Sequence, residues 1–190
     1  MKQPMRNLRD TVHANAKKES KLSWQWYETN VRNAAAGMSA QKFLGDNQAH
    51  QSKNVVPGDM VSFFYSPKGK DTLPYYDTFP MSLPFNTDSD SFTALNLHYL
   101  HPRVRAALLE KLMVYSTDDT LSSKTKLAFS WQALKTASQF SEVSNCVKKY
   151  LFKQVKSNFI IIPPNEWKFT IWLPLCRFKG ASNEEVWSKK

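Results

Sequence analysis

The chain has 190 residues, enough for one domain with a buried core plus extensions. Its net charge of +10 points to an acidic partner: nucleic acid, an anionic membrane surface or an acidic protein face. Only five glycines argue against a Gly-rich phosphate loop, and the absence of any apolar run of about 18 residues argues against a membrane span.

The charge is uneven. Residues 1–56 carry nine Lys/Arg against four Asp/Glu, residues 57–120 five against eight, and residues 121–190 twelve against four. Residues 1–22 are polar and basic without periodicity, which predicts disorder or ordering on a partner. Trp24, Tyr27, Val31, Ala34 and Met38 recur at helical spacing, with Ser23 as a cap and Gly37 near the end. Such a short helix either docks on the domain or packs on another subunit. Residues 39–56 are polar again and read as a linker. The organisation expected is an N-terminal arm, 1–56, with one short amphipathic helix standing outside an α+β domain, 57–190.

The domain is organised around Pro57–Pro102. Three strand-like runs, Met60–Tyr65, Tyr75–Phe85 and Phe92–Leu100, are separated by turn-forming stretches. The run from Met60 is apolar at almost every position, so both of its faces are expected to be covered. In the third, Leu95, Leu97 and Tyr99 share one face and Asn96 and His98 the other. A small antiparallel meander or open barrel covered by helices is the fold expected.

Pro102 then opens a helix with Val104, Ala107, Leu108, Leu112 and Tyr115 on its apolar face. Another follows Ser122 or Ser123, aligning Leu127, Trp131, Leu134 and Ala137, and a third is predicted over Val143–Ser157. Phe159–Ile162 reads as a strand, and Asn165 as the cap of a short helix carrying Trp167 and Ile171 and ended by Pro174. The tail from Lys179 is polar except for Val186 and Trp187. Cys146 and Cys176 read as two buried thiols in a reducing compartment.

Chemistry is concentrated in the predicted helix 143–157. On a helix, Lys148, Lys149, Lys153 and Lys156 fall within about 140° of arc and enclose Phe152. Phosphate contacts around an aromatic ring that stacks on an unpaired base would use this pattern. The plainer reading is a solvated lysine face with Phe152 packed on a neighbour. Lys124 and Lys126 extend the patch if the two helices are adjacent. His98, His101 and Asp77 have weak metal-site spacing, and a hydrogen-bonded His98 is the plainer reading. Asp71, Asp77, Asp88 and Asp90 read as turn formers. With no nucleophile elbow, P-loop, HExxH or dinucleotide fingerprint, neither an enzyme nor a cofactor is expected.

Several stretches are long enough to carry a family likeness. They are Lys68, Lys70 and Asp71 with Leu73–Asp77, Phe79 and Pro80; Asn96–Leu100; Pro164, Glu166 and Trp167; and Val186–Ser188. Together they resemble the virion proteins of contractile-tailed phages known as DNA end-protector proteins. The likeness covers residues 57–190 and, loosely, the helix 24–33, and departs at His101, where the family pattern has proline. It implies a structural protein that joins the filled head near the head–tail junction and covers the double-stranded end of the packaged genome. Host exonuclease is thereby kept off that end after injection. Its implied neighbours are portal, neck, tail or baseplate subunits, and its implied locations are the virion and, during assembly and after injection, the host cytoplasm. The alternative is a purely architectural neck or baseplate protein whose basic ends bind acidic subunits. No membrane partner is implied.

Overall fold

A computed structural model of the chain describes residues 24–116 and 141–188. The elements are α1 (Trp24–Ala34), α2 (Ala40–Asp46), β1 (Gln51–Ser52), β2 (Met60–Ser62), β3 (Tyr76–Asp77), β4 (Met81–Thr87), β5 (Ser91–Asn96), α3 (Pro102–Ser116), α4 (Ser141–Ser144), β6 (Val147–Leu151), β7 (Phe159–Ile162), α5 (Trp167–Thr170), β8 (Phe178–Lys179) and α6 (Asn183–Ser188). The fold is α+β. An open antiparallel sheet runs in the order β1-β7-β2-β4-β5-β6, and β3 pairs with β8 in a ribbon of its own. The predicted helix after Ser122 lies outside the described residues, as do Lys124 and Lys126.

Strand alternation explains why the central runs are apolar throughout. Met60, Met81, Leu83, Leu95, Ile160 and Ile162 point to one face, where α1, α2, α3 and α5 pack. Val61, Phe63, Phe92, Ala94, Tyr150 and Phe159 point to the other. That second core is mostly aromatic. The Phe63 ring meets Phe159, Tyr150 and Phe92 at centroid distances of 5.1, 5.2 and 5.6 Å, all edge-on.

The run Tyr75–Phe85 divides in two. Asp77 Oδ1 accepts the Phe79 backbone N–H at 3.0 Å, and Pro80 has no N–H to offer a ladder. The chain therefore leaves the small ribbon at Asp77 and enters the main sheet at Met81. β5 ends early for a similar reason. Asn96 Oδ1 accepts the His98 N–H at 2.9 Å and turns Leu97–Tyr99 into a 3-10 helix. Asn96 and His98 are buried, not set on a polar outer face.

Docking is the placement found for α1: Val31 and Ala35 lie in the main core. The stretch 39–56 is no plain linker. Ser39 Oγ accepts the Lys42 N–H at 3.1 Å and starts α2, whose Phe43 is buried, and β1 then adds an edge strand on β7. In α3 the buried face is Arg105, Ala106, Leu109 and Leu112, with Val104 47% exposed. The helix is rotated from its simple apolar stripe because Arg105 donates inward to the carbonyls of Ile171 (2.9 Å) and Leu100 (3.2 Å).

The helix predicted over Val143–Ser157 does not form. Only Ser141–Ser144 is helical; β6 follows, then a 3-10 turn at Phe152–Gln154. β5 offers an open edge, and pairing runs from Leu95↔Val147 to Ser91↔Leu151. Tyr150 is 4% exposed, its ring stacked on Phe92 at 5.2 Å. This burial and the ladder bonds together outweigh helical periodicity in a run of a few residues. In the tail, Ser182 and Glu185 form a capping box (2.7 and 3.2 Å) that starts α6 and brings Val186 into the core.

Candidate nucleic-acid interface

With β6 a strand, its lysines part company. Lys148 and Lys149 point to opposite sides of the sheet. Lys148 is half-buried with Nζ 4.3 Å from the Tyr99 ring centroid, and burial lowers its pKa. Lys149 is exposed. The continuous basic arc of the predicted helix is therefore absent.

A different arrangement brings Lys153 and Lys156 together. After β6 the chain forms a ridge, residues 152–158, tied to the segment after β2. Lys156 N–H donates to Phe64 O (2.8 Å), Ser66 N–H to Gln154 O (3.1 Å), and Phe64 N–H to Ser157 Oγ (2.9 Å). Tyr65 and Val155 make a β-bridge. Lys153 and Lys156 are exposed on this ridge, with Lys156 Nζ 3.4 Å from Lys153 O.

A cleft opens on each side. One has Phe152, Phe159 and Val55 in its wall, with Lys53, Asn54, Thr87, Ser157 and Asn158 among its polar groups. The other is lined by Tyr65, Tyr76, Lys156, Arg177 and Lys179, with Glu184 as its carboxylate. Phe152 is half-buried against Phe92 (5.4 Å) and Phe159 (6.5 Å), so it packs on neighbours as the plainer reading had it.

The second cleft is bordered by the ribbon in which β8 pairs antiparallel with β3. Thr78 N–H and Oγ1–H both donate to Arg177 O at 2.9 Å. Gly180 has φ +87°, and a Cβ there would sit 2.3 Å from Pro74 O, so only glycine permits this close approach. Arg177 is exposed and donates to Gln41 Oε1 at 2.8 Å. Lys53, Arg177 and Lys179 escaped the sequence reading because tertiary pairing alone brings them to the clefts beside the ridge. The only signal for them was the basic excess of the two ends of the chain.

His98 and Asp77 do come together, with Nδ1 and Oδ2 2.8 Å apart in the interior. His101 stays outside, exposed beside the Trp187 ring. Among the described residues no group of three or more His, Cys, Asp or Glu is arranged to hold a metal, and no helix is long and apolar enough to cross a membrane.

No curated protein and no solved structure matches the chain. Residues 3–190, nearly its whole length, match the family described as Phage T4 terminal DNA protecting protein, and the chain belongs to that family.

Proposed function

We propose that this phage protein covers the end of the packaged double-stranded genome near the head–tail junction and shields it from exonuclease without catalysing a reaction. Its binding face is the ridge with its two clefts: Lys53, Lys153, Lys156, Arg177 and Lys179. Lys149 adds a cation at the neighbouring sheet edge. Lys148, committed to Tyr99, contributes nothing to phosphate binding. The observation that carries this reading is the ridge itself: exposed cations on a backbone-bonded segment, between two clefts with aromatic walls. Phosphates are bound by such cations with release of counterions, which requires no active site. Cover of this kind is sterically protective. Adjoining virion subunits, of portal, neck or tail, complete it.

The test is duplex-end binding across a salt titration, comparing the parent with Lys153→Gln/Lys156→Gln/Lys179→Gln. Three lost phosphate contacts should weaken binding by roughly an order of magnitude or more at moderate salt and reduce the salt slope by about 2–3. Exonuclease protection should fall in step. Unchanged affinity and slope would overturn the proposed face and leave the architectural role, with these cations on an acidic subunit, as the better account.

A further inference from the structure

A second cluster lies at the β3–β8 ribbon; it borders one cleft of the basic face but uses none of that face's cations. Asp77 comes from β3, His98 from the 3-10 turn after β5, Arg105 from α3, and Cys176 from the residues before β8. Asp77 holds the imidazole: its Oδ2 is 2.8 Å from His98 Nδ1 and also accepts from Asn96 Nδ2 at 3.1 Å. The backbone fixes the ring as well. His98 N–H donates to Asn96 Oδ1, and His98 O accepts Trp187 Nε1–H at 2.8 Å. This leaves Nε2 on the Cys176 side of the ring, buried and without a conventional hydrogen-bond partner.

Arg105 approaches the same sulfur. Arg105 is 2% exposed, and its guanidinium cannot lose its proton. It donates to two carbonyls, and among the described residues no carboxylate pairs with it. The ionisable side chain in direct contact with it is Cys176, with Sγ 3.5 Å from Nη2. A buried cation lacking a counter-charge is costly, and a thiolate at Cys176 supplies that charge. The cluster then balances as two pairs, Asp77 with His98 and Cys176 with Arg105.

We propose that Cys176 is a resident thiolate held between Arg105 and His98, and a covalent modification site for small disulfides and carbon electrophiles. Cys176 is half-buried and lines both the cleft beside the ridge and a second one floored by Trp172 and Trp187, which give access. With a disulfide R–S–S–R, the Cys176 sulfur forms a new S–S bond to one sulfur as the old S–S bond breaks. The electron pair leaves with RS⁻, which takes a proton from water. Cys176 is oxidised to the mixed disulfide and one R–S half is reduced. Asp77 acts as a positioning residue through His98.

The electrostatics agree. Burial would raise the Cys176 pKa, but His98 and Arg105 outweigh it and the net direction is down. Burial would lower that of His98, but Cys176 and Asp77 lift it to about 9. Farther out, Glu184 lines both clefts; Glu28, Arg32, His101 and Arg103 line one, and Lys156, Arg177 and Lys179 the other. Cys146 is the internal control: buried, its thiol is pushed up to about 11.

The experiment is iodoacetamide labelling of the native full-length protein across about pH 5 to 9, with each cysteine peptide quantified by mass spectrometry. Cys176 should label at least about tenfold faster than Cys146 at pH 6, with a midpoint well below the ordinary thiol value of about 8.5. His98→Gln should move that midpoint back toward the ordinary value. If that variant does not fold, thiolate absorbance near 240 nm, read as parent minus Cys176→Ser against pH, gives the same midpoint. A Cys176 profile centred at an ordinary thiol value overturns the thiolate, and absence of any Cys176 adduct on the native protein overturns the modification site.

Discussion

β5 sits inside the sheet with a strand on each side, whereas β6 closes its edge with β5 as its sheet neighbour. β5 spends its side chains on two cores: Phe92 and Ala94 on the aromatic side, Leu95 on the helix-covered side. β6 commits Tyr150 to the aromatic core but carries Lys148 and Lys149 beside it. The difference teaches where a binding surface can arise in this fold. Interior strands have no free face, so the exposed cations gather where the sheet runs out, on β6 and the ridge that continues it.

The largest effect expected is on the interior strand. Phe92 is fully buried, and its ring meets Tyr150, Phe152, Phe63 and Phe159 between 5.2 and 5.7 Å. Phe92→Ala should destabilise the fold by about 3–5 kcal/mol in denaturant titration. A loss below about 1 kcal/mol would mean that the aromatic face is not a core, and the contrast between the two strands would fail.

Phe152 stands where the edge strand gives way to the ridge, and it divides the two roles. Its ring is half-buried on Phe92, so Phe152→Ala should lower stability by about 1–3 kcal/mol, less than at Phe92. Binding to blunt duplex and to single-stranded ends should then change alike. A selective loss of about 1–3 kcal/mol on single-stranded ends, with the melting temperature unchanged, would instead assign the ring to base stacking.

The same contrast explains what could be read in the chain. The runs at Met60 and Phe92 are apolar and aromatic because both faces are covered, and local pattern is enough to mark them as strands. Val147–Leu151 carries the same kind of anchor in Tyr150, but lysines interrupt it and the next apolar residues fall at helical intervals. Its strand identity comes from the open edge of β5, far away in the sequence. Arg105 is similar: carbonyls of Leu100 and Ile171 draw a charged residue inward, and no pattern within α3 announces it. Of the candidate site, the neighbouring Lys153 and Lys156 were legible because they are close in the chain. Lys53, Arg177 and Lys179 were not, because the β1 edge and the β3–β8 pairing bring them there. The Asp77–His98 pair was half-visible as residues of one meander, while Cys176 joined it only through folding.

The finest test sets two adjacent lysines against each other. Lys148 lies over the Tyr99 ring and is half-buried; Lys149 points away from it into solvent. A cation–π contact contributes from about 0.5–1 kcal/mol when exposed to about 2 when desolvated, and burial of the ammonium offsets part of that. Lys148→Met keeps the packed stem and removes the charge, so stability should move by less than about 1 kcal/mol. DNA affinity and its salt slope should stay as they are, because a lysine held on an aromatic ring releases no counterion on binding. Lys149→Gln should leave stability unchanged and reduce the salt slope by about 1 if that side chain meets a phosphate. Measured side by side, the two variants separate edge residues that belong to the fold from those that belong to the surface. Were Lys148→Met to reduce the slope as much as Lys149→Gln, the phosphate path would have to wrap around the edge of β6 and include both faces of the sheet.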